Sequence, residues 1–419
     1  MDNLPELQTI RRGSASIINS GTTGQMLMYV LDRFGPHESL IRSRLGFGTL
    51  EACRTIRIIQ LRLSTILEPV LEGKTEESIG FVGPRHYRSR LDAPTKEFID
   101  AWKLGTDFEE DDLESLKGLG LDKSVVTFLT APRQALLSVG ASFGRWAFIR
   151  KGNGGYHLVI PWALADTITS AVHMGLLEGL SMKETGAYGL LRGKVFEKMV
   201  ARKFTTAYRD VSVKVRAKSP GQVGDTDLLV DMAGHTRILV QCKGRLLRPI
   251  GKWFREEMFV SDLERNIIEA ASQAKRALET QGEKINAYSV FIVLDAYFAG
   301  ASAFSFAGGS IARSLENLPR PVILTYYDLD YLLRRLGEDE LRTYLDWRMN
   351  VMRSRRFLLH DEMDVIWLYL NAGAQVLKNV EKRQVNVAVI GRDPVFYSET
   401  IHALDERIFQ NGLPDGETT

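Results

Sequence analysis

The sequence predicts an α/β chain whose core runs helix, strand, strand, strand, helix, strand between about residues 186 and 300, with mainly helical flanking regions on both sides. Three observations predict it. A helical apolar stripe begins near Tyr188. Two short, Leu- and Val-rich runs are joined by a Gly234-His235 turn. A helix-forming segment then leads to the unbroken apolar run from Tyr288 to Leu294.

Composition sets the bounds. The 419 residues are enough for two or three domains with ample core. A content of 44% hydrophobic and 25% charged residues is that of a soluble globular protein. No apolar run approaches the roughly 20 residues of a membrane span, so no membrane partner is expected. Met1-Asp2-Asn3-Leu4-Pro5 lacks the basic-then-apolar form of a signal peptide. The two cysteines, Cys53 and Cys242, make neither a disulfide framework nor a zinc site, so a cytoplasmic location is expected.

The formal net charge of +2 says little about partners, but its distribution says more. Gly186 to Thr280 holds 18 Lys and Arg against 11 Asp and Glu, a net of +7 that exceeds the whole chain's. Positive charge gathers around the hairpin, as phosphate binding requires; a basic solvated face would give the same count.

Residues 1–185 form a mainly helical N-terminal region. Thr49 to Leu67 carries apolar residues at helical spacing with Arg54, Arg57 and Arg62 between them, which reads as a solvated face, nucleic-acid contact being the alternative. Gly105 to Gly120 is acidic and reads as a surface loop with a short helix. Near residues 145–161, a Gly-rich turn between two apolar runs marks a hairpin, with His157 in a structural place. Helices around a hairpin fit a winged-helix-like or adaptor module.

In the core, Leu190, Leu191, Val195, Phe196, Met199, Val200 and Phe204 form one helical stripe, and Glu197 lies about 100° around the helix from Phe196, at the stripe's edge. Val211 to Lys218 alternates, with Lys214, Arg216 and Lys218 on a basic face. On the first strand of the hairpin Asp225, Asp227, Leu229 and Asp231 share a face. On the second, Gln241 and Lys243 share a face and Cys242 points the other way. Arg245, Arg248, Lys252 and Arg255 follow, around Trp253 and Phe254, a mixture that suits phosphate contact with stacking or a packed loop over the site. Ser261-Asp262-Leu263-Glu264 has the form of a capping box and predicts a helix start at Ser261. Tyr288 to Leu294 reads as a strand buried on both faces.

Beyond Ala299, Gly300 to Ser310 reads as a loop or lid. Residues 301–410 read as a strand at Val322 to Thr325 and helices packed on the core, the first capped by Asp328. Residues 411–419 read as a disordered tail. Neither a Gly-rich phosphate loop with its lysine nor an internal repeat is present.

An aspartate at one strand and a polar residue plus a lysine, two apart, on its neighbour can converge on one point. Carboxylate oxygens suit Mg²⁺, and an ammonium can hold a phosphate or orient a water. Asp227 precedes Gln241-Cys242-Lys243 by 14 positions. With the element order and the Gly224-Asp225-Thr226-Asp227 string, this resembles the PD-(D/E)XK nuclease superfamily, the restriction-endonuclease-like fold, over about residues 186–296. The Gln-x-Lys form looks most like its Mrr-like branch. Taken alone, the three residues also fit an ordinary hairpin with surface charges.

The resemblance implies a restriction-endonuclease-like αβββαβ core and a Mg²⁺- or Mn²⁺-dependent endonuclease acting on DNA, in restriction, antiphage defence or repair. It implies Asp227, Gln241, Lys243 and Glu197 as catalytic residues and Asp227, Glu197, Asp225 and Gln241 as metal ligands. A polar residue of the second helix, Gln273, would point into the site. Lys214, Arg216, Lys218, Arg245, Arg248, Lys252 and Arg255 would hold the nucleic acid. Double-strand cutting needs two sites, so a homodimer or a partner protein of a larger system is expected. The alternative is a nuclease-like fold kept as a nucleic-acid-binding or assembly module without cleavage.

Overall fold

The computed structural model describes residues 20–71, 96–132, 145–159, 161, 164–215, 226–233, 236–244, 256–281, 286–293, 310–315, 317–353, 366, 369–370 and 394–410. The chain is α/β, with helical N- and C-terminal regions, and divides into two compact units: Met1–Ser181 with Pro394–Thr419, and Met182–Asp393. Among the described residues no helix is long and apolar enough to cross a membrane.

The first unit is built around the Thr49–Leu71 helix, whose Ala52, Cys53, Ile56, Ile59, Leu63 and Leu67 are buried. Its arginines do not form the solvated face that their spacing suggests. Arg54 donates to the Ile408 carbonyl, Arg57 makes a two-pronged bond with Asp405, and Arg62 bonds Asp112 and lies over the Phe108 ring. A guanidinium satisfies carbonyls and carboxylates at the edge of a core as readily as water does.

The segment Pro394–Asp405 also departs from expectation. It belongs to this unit, where its buried Phe396 and Leu404, with Ile408 just beyond it, lie with the Ser20–Phe34 helix and the arginines just named. Gly24 permits the close approach: a Cβ there would stand 3.1 Å from Ile401 Cδ1 and 3.2 Å from Thr400 Cγ2.

The expected hairpin is present as β3 (Phe148–Arg150) and β4 (Tyr156–Leu158), antiparallel across the glycine turn. It belongs to a larger four-stranded sheet that also takes in two dipeptide strands, β1 (Asp107–Phe108) and β2 (Thr130–Ala131), in the order β1-β4-β3-β2. Two-residue strands carry no readable periodicity. Within the sheet, His157 Nδ1 meets Asp107 Oδ1 at 2.6 Å, a structural role as expected. Glu109 and Asp112 close a capping box on the Glu110–Lys117 helix.

The second unit carries a five-stranded sheet in the order β5-β6-β7-β8-β9: β5 (Ser212–Val215), β6 (Leu228–Met232), β7 (Thr236–Lys243), β8 (Asn286–Val293) and β9 (Pro321–Thr325). β5, β6 and β7 form an antiparallel meander, and β7, β8 and β9 run parallel. The Met182–Ala207 helix precedes the meander and the Glu256–Gln281 helix joins β7 to β8, so the order is helix, three strands, helix, strand. From Ala287 to Val293 every residue of β8 is buried, as a parallel strand covered on both faces must be.

Three local expectations differ. The first helix starts at Met182, six residues early, and Leu190 and Leu191 are 73% and 48% exposed. Apart from Tyr188, which is buried, continuous burial along the stripe sets in only at Val195. The second helix starts at Glu256, placing Ser261 in its interior; Glu and Met are strong helix formers, and a four-residue capping pattern carries no information about what precedes it. Finally, Thr325 caps the Tyr326–Arg335 helix, and Asp328 is the reciprocal third residue of that capping box.

Candidate functional site

The site lies where the β6–β7 ladder ends. Leu228 faces Val240 across that ladder, so one step further Asp227 comes opposite Gln241, on the face shared by Leu229, Leu239 and Lys243. The Cys242 backbone N–H donates to Asp227 Oδ2 at 2.7 Å, fixing the carboxylate against β7 just before its own strand begins.

Gln241 is 0% exposed, and among the described residues neither its Oε1 nor its Nε2 has a hydrogen-bond partner. An amide so placed forgoes its solvation without replacement, at a cost of about 1–3 kcal/mol on the scale of protein mutations. The chain thus holds an unsatisfied oxygen donor directly across from the Asp227 carboxylate.

Lys243 is one pleat on. Its Nζ donates to Gln273 Oε1 at 2.8 Å and lies 3.4 Å from Glu269 Oε1, both on the Glu256–Gln281 helix. Cys242, pointing to the other face, reports the opposite helix. Burial first, then the carboxylates of Asp227 and Glu197, push the Cys242 thiol well above its usual range, with Lys243 pulling the other way. Glu197 of the Met182–Ala207 helix therefore shares one electrostatic neighbourhood with Asp227 and Lys243.

Among the described residues no three His, Cys, Asp or Glu side chains gather closely enough to hold a metal ion. What this site offers is the Asp227 carboxylate with the buried Gln241 amide opposite it. Both are oxygen donors, the type a hard cation such as Mg²⁺ takes.

Of the residues singled out from sequence, Asp227, Gln241 and Lys243 come together on one face of the ladder end, and Gln273 joins them through Lys243; Glu197 shows only through its charge on the Cys242 thiol, which points to the other face. Lys214 does not: its Nζ pairs with Asp231 Oδ2 at 3.6 Å on the β5–β6 ladder, where Arg237 Nε meets Asp231 Oδ1 at 2.5 Å. Asp225, Arg216, Lys218, Arg245, Arg248, Lys252 and Arg255 lie outside the described residues, as do residues 300–309 of the expected loop or lid and the tail at 411–419. Glu269 was missed by sequence reasoning. Its signal is present, since it stands one helical turn before Gln273 and on the same face.

No protein-family model, curated protein or solved structure matches this chain.

Proposed function

We propose that the second unit is a restriction-endonuclease-like core and that the chain hydrolyses DNA phosphodiester bonds with a divalent metal ion. The observation that carries this reading is the meeting of Asp227, the unsatisfied Gln241 amide and Lys243 at one ladder end, with Glu197 in electrostatic reach. Asp227, Glu197 and the Gln241 oxygen would hold Mg²⁺ or Mn²⁺, and the ion would supply an activated water and offset charge on the phosphate. The chain's own residues do the rest. The β7 main chain holds Asp227 in place. Gln241, walled off from water, keeps its oxygen unpaired for a ligand. Lys243 presents an ammonium to a non-bridging phosphate oxygen, where negative charge grows in the transition state.

A second reading, a nuclease-like fold that binds nucleic acid without cutting, is favoured by Gln241 standing where a third carboxylate would bind metal more strongly. One experiment separates the two: cleavage of plasmid and single-stranded DNA with Mg²⁺ or Mn²⁺ by the native chain, Asp227→Ala and Lys243→Ala, beside a gel-shift. The nuclease reading expects metal-dependent cutting that both substitutions abolish. DNA binding without cutting by any of the three supports the second reading, and neither binding nor cutting removes both.

A further inference from the structure

The Glu256–Gln281 helix holds Lys243 with two side chains one turn apart. The Lys243 side chain is only 13% exposed and donates to Gln273 Oε1 at 2.8 Å. Glu269, 55% exposed, brings Oε1 to 3.4 Å from the same ammonium and to 3.4 Å from Gln273 Nε2. The three groups close a ring.

Donor and acceptor chemistry gives the ring a single sense. An ammonium only donates and an ionised carboxylate only accepts, whereas an amide can turn either end to a neighbour. With Glu269 drawing the Gln273 NH₂ to itself, the carbonyl oxygen is the end left for Lys243. The reverse orientation would set NH₂ against ammonium and oxygen against carboxylate. Lys243, a point charge on a flexible four-carbon stem, thereby has its direction set by a helix.

We infer that Glu269 and Gln273 are positioning residues: together they form a bracket that aims the Lys243 ammonium at the phosphate being cleaved. The inference rests on the nuclease reading above. Gln273 acts on Lys243 by the shorter bond, and Glu269 acts both by its longer ion pair with the ammonium and through the orientation of the Gln273 amide. An ammonium has three N–H bonds, so two can stay in the bracket while the third meets the substrate. Holding a reacting group in line before substrate arrives lowers the barrier without tightening ground-state binding, so the bracket belongs to kcat and not to KM.

The test is steady-state cleavage of plasmid DNA with Mg²⁺ or Mn²⁺ by the full chain and by Gln273→Leu, Gln273→Glu, Glu269→Ala and Lys243→Ala. Gln273→Leu keeps the size and removes the acceptor; kcat is expected to fall about 10- to 100-fold with KM within about twofold, the scale on which small misplacements act. Gln273→Glu restores an acceptor and is expected to recover kcat to within about threefold of the native chain. Glu269→Ala, which removes the longer and more exposed of the two contacts, is expected to lose less than Gln273→Leu. An unchanged kcat in Gln273→Leu, a loss confined to KM, or a Gln273→Glu as impaired as Gln273→Leu overturns the bracket while leaving the nuclease reading in place. A native chain that does not cut, with its metal supplied, overturns the nuclease reading and the bracket with it.

Discussion

The Cys242 main-chain N–H donates to Asp227 Oδ2 at 2.7 Å, which ties an acid at the mouth of one strand to the backbone of the next. This bond separates two tasks of Asp227, holding the ladder end and carrying charge. Asp227→Asn keeps an oxygen acceptor for Cys242 and removes the charge. It is expected to cost less than about 1 kcal/mol of stability, while Asp227→Ala costs about 1–3 kcal/mol, as for a lost hydrogen bond to a charged group. Both are expected to lower metal-dependent cleavage by about 100-fold or more, since each removes a charge that acts on the transition state. Denaturant unfolding beside the cleavage assay checks the pair; equal loss of stability in both would show that the charge itself holds the fold.

Gln241→Leu removes two buried polar atoms that have no partner. The substitution is expected to leave stability unchanged or raise it by about 1–3 kcal/mol, and to abolish cleavage, because the cost of burying an unpaired amide disappears together with the ligand oxygen. Thermal unfolding decides it: a lowered melting temperature would make Gln241 a structural residue.

Arg57 reaches Asp405 with two bonds of 2.7 Å each and is itself buried. Arg57→Ala strands the carboxylate and undoes a tie between Thr49–Leu71 and Pro394–Asp405. A loss of about 2–4 kcal/mol is expected, a partly buried pair costing somewhat less than a fully buried one. Calorimetric or denaturant unfolding of the full chain reads it, and a change below about 0.5 kcal/mol would refute the tie.

Ser261 is exposed in the interior of a helix. Ser261→Ala is therefore expected to stabilise by about 0.3–0.7 kcal/mol through helix propensity, where removal of a true helix cap would cost about 1 kcal/mol. The sign of the change in unfolding free energy decides between the two.

The first unit is expected to weaken in acid in two stages. Burial, and then Arg33, hold the His37 imidazole below its ordinary value of 6.5. The unfolded chain therefore binds a proton that the folded one resists, and this contribution drains away as the pH falls below 6.5 towards the folded value. Asp107 follows lower down. Desolvation would raise its carboxyl, but hydrogen bonds and charge from His157 and Lys151 outweigh it and hold the group below 3.8. Its contribution is present above 3.8 and is lost as the pH falls through the folded value. Denaturant unfolding between pH 8 and 3 tests this, and His37→Phe is expected to flatten the upper stage.

The strands of the second unit were legible because their signals are local. Two β-branched or apolar runs around Gly234-His235 have one way to alternate, and the unbroken run from Tyr288 has no polar face to show to water. Asp227, Gln241 and Lys243 were legible for the same reason, since strand pleat and register place them on one face. The helix ends were less so. At Tyr188 and Ser261 the reading began where the apolar pattern or the capping pattern began, yet Met182–Ala207 and Glu256–Gln281 start earlier, in residues that favour helix without periodicity.

Sequence by itself determined which residues could meet across a hairpin, and in what order helices and strands follow one another, because backbone sterics and side-chain alternation act over a few residues. Only the tertiary structure decided which charges are spent. Arg54, Arg57, Arg62 and Lys214 resemble free cations in the string of residues and are engaged in the fold. The tertiary structure also decided that Pro394–Asp405 packs beside Ser20–Phe34 and that Glu269 and Gln273 close on Lys243. These are pairings between residues tens to hundreds of positions apart, fixed by which apolar surfaces bury one another, and no local pattern encodes the partner of so distant a charge.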